Sequence, residues 1–306
     1  MNRQIISVFV ASCLMTFFTD WASAVAPRED NEELVPTGRG QGERAAPGNA
    51  APSAQAGTTS NGISYHGGPV LVNGVNVYYI WYGNWSANSA PSVMTDFANT
   101  IGGSPYFNIN TTYYNGSNQH VMNVVKYGGA VNDNYSRGTA LSDSDVKTVV
   151  ASAINSKGLP ADPNGVYFVL TSKDVNETSG FCTKYCGWHA HSAIGTTDIK
   201  YAFVGNPDRC PSACAAQSPS SPNGNAGADA MASIIAHELE EAVTDPDLNA
   251  WYDTRGRENA DKCAWTFGTT YTSNGAYANM KLGARDFLIQ QNWVNAQGGY
   301  CAKTYP

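Results

Sequence analysis

The stretch that most constrains this chain is Ala228-Asp-Ala-Met-Ala-Ser-Ile-Ile-Ala-His-Glu-Leu-Glu-Glu-Ala-Val-Thr-Asp-Pro246. At about 100° per residue, Met231, Ile234, Ile235, Leu239, Ala242 and Val243 fall on one side of a helix, the pattern of an amphipathic core helix. His237 and Glu241, spaced i and i+4, share the flank of that face. Glu238 lies between them and the core, and Glu240 is expected on the opposite, solvated side. Any fold must therefore bury one face of this helix beside a histidine and at least two acids, and acids next to a core are costly unless paired, protonated or metal-bound.

A His-Glu-x-x-x helix is the pattern of a zincin. In His-Glu-x-x-His enzymes the outer side chains bind zinc from adjacent turns, and the intervening Glu is general base toward the metal-bound water. Here the second ligand position is Glu241, an anionic oxygen donor that makes a bound water less acidic than a histidine would. The expectation is one divalent metal, zinc favoured and calcium the alternative, held by His237 and Glu241 with Glu238 as catalytic base. Further ligands would come from Glu258 and Asp261, which follow the turn after the helix, ahead of Asp245 and Asp247. Asp247 occupies the metzincin third-ligand position, but that arrangement needs a glycine turn where this chain has Thr244 and Pro246. His189 and His191, at i and i+2, would share one face of a strand. They are secondary candidates; the plainer reading makes His189 a structural hydrogen-bonding residue and leaves His191 exposed. Gly-x-Ser-x-Gly, P-loop and dinucleotide fingerprints are missing from the sequence.

The chain opens with Arg3, an apolar run from Ile5 to Phe18 and the small-x-small pattern Ala22-Ser-Ala24, which reads as a signal peptide over 1–24. No later run is long enough to span a membrane. Residues 25–60 are rich in Ala, Gly, Pro and Ser and cannot bury enough apolar surface to offset ordering, so they read as a disordered leader or propeptide. From Asn61 onward about 245 residues remain, enough for one large domain. A net charge of −7 without a basic cluster argues against nucleic acid.

Beyond the signal, Cys182, Cys186, Cys210, Cys214, Cys263 and Cys301 form an even set, which in an exported protein implies disulfides. Fifteen connectivities are open, and their order alone suggests Cys263 with Cys301. Asn84, Asn110, Asn115, Asn134 and Asn176 begin glycosylation sequons, expected on surface loops of a glycoprotein. Asn73-Gly74 between apolar runs reads as the turn of a hairpin over Pro69–Trp81. Helices are expected over Ser92–Ile101 and, capped by Ser142, to about Ser156; strands are expected at Val121–Tyr127, Val166–Thr171 and Tyr201–Val204. Such alternation implies a single α/β domain, a twisted mixed sheet with packed helices, possibly of zincin-like kind and stabilised by disulfides.

Four groups of residues together resemble the EXORDIUM-like, or phosphate-induced, protein family. They are Tyr65-His-Gly-Gly-Pro-Val70 with Tyr79-Ile-Trp-Tyr82; Cys182-x-x-x-Cys-Gly-x-His189; Val204-Gly-Asn-Pro207 with Cys210-Pro-x-x-Cys214; and Thr244-Asp-Pro246. The resemblance runs from about Asn61 to the end. It implies a secreted, extracellular or apoplastic protein of the cell wall, linked to growth and nutrient response. Because the chain retains His237, Glu238, Glu241, Glu258 and Asp261, it looks closer to microbial members, for which a zincin-like peptidase is the implied activity. Two functions follow as expectations: a metal-dependent hydrolase acting on peptide, or a non-catalytic protein contacting a cell-wall polymer or host surface through its Tyr and Trp residues.

Overall fold

The computed structural model describes Asn31–Glu32 and residues 61–306. The expected signal peptide and the rest of the leader lie outside the described residues. The central sheet contains β1 (Asn31–Glu32), β2 (Val75–Tyr82), β3 (Val125–Asp133), β4 (Gly165–Thr171), β5 (Gly187–Ile194) and β6 (Thr197–Val204). Their spatial order is β1-β5-β6-β4-β2-β3. The pairs β3/β2, β2/β4 and β4/β6 are parallel, whereas β5 runs antiparallel to β6. On the far side of β5, β1 pairs antiparallel, with Asn31 opposite His189 and Glu32 opposite Trp188.

Three helices cover the sheet: α1 (Ala90–Ile101), α2 (Asp143–Ser156) and α3 (Ala226–Thr244). The crossover through α1 runs from β2 to its neighbour β3, and the one through α2 returns from β3 across β2 to β4, so their common right-handedness puts the two helices on opposite faces. α3 joins α1 on one face and packs over β5 and β6. This is the mixed α/β domain the sequence implies. Met231, Ile234, Ile235 and Leu239 are all buried in its core. No described helix is long and apolar enough to cross a membrane.

Local chemistry explains most boundaries. Ser142 caps α2 through a reciprocal box with Asp145. Pro91 sits at the start of α1, which begins two residues before the expected Ser92 because proline is accommodated in a first helical turn. The expected hairpin over Pro69–Trp81 does not form. Gly74 does take a positive φ of 86°, but it turns the chain into β2, which is buried along nearly its whole length and flanked by parallel partners. A continuous apolar run of this kind belongs to a doubly covered strand. The strand expected at Val121–Tyr127 starts later, at Val125, because the preceding Asn123 uses its side chain to hold the loop at Gly103 and Ser104.

The six cysteines within residues 61–306 are all paired: Cys182–Cys210, Cys186–Cys214 and Cys263–Cys301. The first two bridges run side by side between the loop entering β5 and the short helical turn Pro211–Cys214 after β6. Among the sequons, Asn84 and Asn134 are exposed and Asn115 and Asn176 half-buried, but Asn110 is fully buried. It lies in the 3-10 turn Phe107–Thr112 under the end of α3, so it is not the surface loop that its sequon suggested.

Candidate metal centre

The site is built where β5 lies against α3. Gly187, His189 and His191 alternate onto one face of β5. A Cβ at Gly187 would stand 2.7 Å from Ile234 Cγ2 and 2.8 Å from Glu238 Oε1, so only glycine allows the strand to approach the helix this closely. Two residues on, His189 reaches the next turn of α3, and His191 reaches beyond the helix to Asp247.

After α3 the chain folds back at once. Asp245 accepts the Ala250 N–H, and Trp251–Tyr252 pairs with Ser64–Tyr65. A turn at Asp253, held by the Arg255 and Arg257 N–H groups, then returns residues 258–261 across the helix. Asn259 Nδ2 donates to the Glu240 carbonyl, and the Asp261 N–H donates to Glu241 Oε1 at 3.1 Å, fixing the return segment to α3.

Five side chains converge as a result. His237 Nε2 lies 3.0 Å from Glu241 Oε1 and 3.6 Å from Asp261 Oδ1. His189 Nε2 lies 3.2 Å from Glu258 Oε2 and 3.8 Å from Glu241 Oε2. Their side chains are 6% exposed or less. In each triad, His237–Glu241–Asp261 and His189–Glu241–Glu258, the donor atoms lie within 4.8 Å of one another. Three donors about 2.1 Å from a zinc ion sit roughly 3.4 Å apart, which matches the spacings seen around the histidines. Burial pushes the Glu241 carboxyl up to about 7, with His237 opposing the shift and Asp261 adding to it. A dication is the natural counter-charge for such a group.

The surroundings of His237 test whether a metal fits. Gln290 Oε1 accepts the Trp265 N–H, which orients the amide so that its Nε2 donates to His237 Nδ1 at 2.6 Å. That leaves the ring proton on Nε2. To ligate through Nε2, the proton must move to Nδ1 and Gln290 must turn its oxygen to the ring. Giving up a buried hydrogen bond costs about 1–3 kcal/mol, against about 10–16 kcal/mol of apparent binding free energy for structural zinc. The residues therefore fit a cation, with Gln290 adapting.

Other candidates lie elsewhere. Asp245 caps the end of α3. Asp247 and His191 join Asp198 in a half-buried group that has its own cation, Lys200 Nζ, 2.7 Å from Asp198 and 3.3 Å from Asp247. Glu240 is a correction: it is fully buried, accepts from Asn292 Nδ2 at 2.5 Å, and faces Tyr106 and Tyr113. Burial raises its carboxyl well above the usual range, with the hydrogen bonds from Asn292 and Asn110 opposing the shift. Asn292 and Gln290 were not foreseen because they arrive from the C-terminal segment, far from the helix in sequence. A cavity of about 20 Å³, room for one water, lies beside Ser233, Trp265, Phe267 and Gln290.

A disulfide-stapled α/β domain with a buried histidine–carboxylate cluster on its last long helix is thus the class defined by fold and site. The conserved region described as "Phosphate-induced protein 1 conserved region" matches residues 63–297. Protein EXORDIUM-like 3 of Arabidopsis thaliana is 34% identical over 280 residues, covering 78% of this chain and 82% of the relative. Protein EXORDIUM-like 5 of the same plant is 34% identical over 276 residues, covering 76% of this chain and 75% of the relative. The chain belongs to the EXORDIUM-like, phosphate-induced protein family. No solved structure matches it.

Proposed function

We propose that this EXORDIUM-like protein is exported and holds a divalent cation at His237, Glu241 and Asp261, where the ion ties α3 to the return segment. The observation that carries this reading is the near-complete burial of all three side chains around matched donor spacings. Three disulfides suit an oxidising, extracellular compartment. The mixed nitrogen and oxygen donors favour zinc over calcium. With the ligands enclosed, the cation's role is structural, and the protein acts at a cell-wall polymer or host surface. Tyr271 and Tyr277 are the exposed large aromatics among the described residues that such a contact would use.

A second reading, a metal-dependent peptidase, is favoured by one observation. The segment Asn31–Glu32 pairs with the outer edge of β5 directly opposite His189, so an extended peptide backbone can lie beside the cluster. In that reading the bound metal would polarise a water, and Glu238 would take its proton as general base.

Elemental analysis and a melt with and without EDTA test the cation. A chelator-insensitive, metal-free protein ends both readings. Glu238→Ala then separates them: it should keep the metal under either, whereas only a peptidase would lose hydrolysis of a peptide library, by roughly 10²–10⁴-fold. Wild type that binds metal and cleaves nothing leaves the structural reading.

A further inference from the structure

The two triads share one carboxylate and diverge from it. Glu241 Oε1 faces His237, and its other oxygen, Oε2, faces His189. Each triad then adds one imidazole and one carboxylate of its own, Asp261 on one side and Glu258 on the other. Their spacings are alike: 3.0 and 3.6 Å about His237, 3.8 and 3.2 Å about His189. A cation in the first triad engages Oε1 and leaves Oε2 where it is, buried and accepting no hydrogen bond. Nothing about the first site requires a histidine and a further glutamate to be aimed at that second oxygen.

Charge is in keeping with this: Glu241, Glu258 and Asp261 bring three carboxyl groups into the two triads, more than one dication offsets.

We propose that the cluster is a two-cation centre, in which a second divalent ion sits among His189, Glu241 and Glu258 and Glu241 bridges the pair. The inference rests on the first site proposed above. One imidazole and two carboxylate oxygens per ion suit zinc, cobalt or manganese. Ions bridged in this way stand about 3.5–4 Å apart. His189 and Glu258 are thereby ligands of an ion of their own, rather than a hydrogen-bonded pair supporting the first.

Cobalt is the probe that counts the ions and detects their coupling. The full chain, stripped with a chelator, is titrated with Co²⁺ and followed by ligand-field absorption and electron paramagnetic resonance. The expected result is saturation at two equivalents, with the resonance of the first ion weakened when the second enters, as a bridging carboxylate couples the spins. His189→Ala and the near-isosteric Glu258→Gln should each bind one equivalent and show the uncoupled signal. Glu258→Gln keeps the measurement informative where His189→Ala fails to fold. Saturation of wild type at one equivalent, unchanged in Glu258→Gln, overturns the second site and leaves the first intact. Two equivalents without coupling overturn the bridge. No cobalt bound at all overturns the first site as well.

Discussion

Gln290 holds His237 in the tautomer that disfavours metal, because its oxygen is committed to the Trp265 N–H and only its amide protons face the ring. Gln290→Glu changes that without changing shape. One carboxylate oxygen keeps the hydrogen bond from the Trp265 backbone N–H and the other accepts a hydrogen bond from Nδ1–H, which frees the Nε2 lone pair for the metal. Competition titration with a chromophoric chelator should show zinc affinity rising by about 10–100-fold, the usual range for partners that orient a ligating histidine. An unchanged or weaker affinity would mean that His237 does not ligate through Nε2. Individual residues also show where sequence reading stops. The i and i+4 spacing made His237 and Glu241 legible, and the acids after Pro246 were legible as their company. Glu240 was not: a helical wheel places it away from the core, but α3 is covered there too, by the Phe107–Thr112 turn and by Asn292. His189 was visible only as half of an i and i+2 pair, since the acids it meets come from α3 and the segment after it.

Elements were legible where a local cap or period defined them, as with Ser142 before α2 and the apolar face of α3. They were misread where long-range pairing decided the outcome. Asn73-Gly74 supplies the positive φ of a hairpin turn, yet β2 takes both of its neighbours, β3 and β4, from later in the chain. The pairing of cysteines is another long-range property, and it matters for the site because Cys263 stands two residues beyond Asp261. The bridge from Cys263 to Cys301 closes a separation of 38 residues. Replacing both cysteines with alanine should lower unfolding free energy by about 4 kcal/mol, read from urea denaturation, on the chain-entropy scaling for a loop of this length. It should also increase metal loss on dialysis, as the return segment loosens against α3. Loss of stability with metal retention unchanged would show that Asp261 is held by the backbone contact to Glu241 alone.

Glu238, Glu240, Glu241 and Glu258 are all buried, and the stability of the molecule should depend on pH accordingly. For the metal-stripped protein, the folded-state value of Glu241, raised to about 7 by burial, lies above its unfolded value near 4.5. Between those values the folded state binds more protons than the unfolded one, so stability falls as pH rises from about 4.5 to 7. The stripped protein should therefore melt higher at pH 5 than at pH 7.5. The metal-loaded protein should show the opposite order, because protons compete with the ion for the same oxygens. Melts that shift equally with and without metal would separate Glu241 from the ion. The way the site is assembled has a kinetic counterpart. His189 comes from a strand, His237 and Glu241 from a helix, and Glu258 and Asp261 from the segment that returns over it. A cation meets its full set of ligands only after these pieces have docked, so it slows unfolding and does little to speed folding. In an exported chain, the ion then records the compartment where folding finished, not the one where synthesis began.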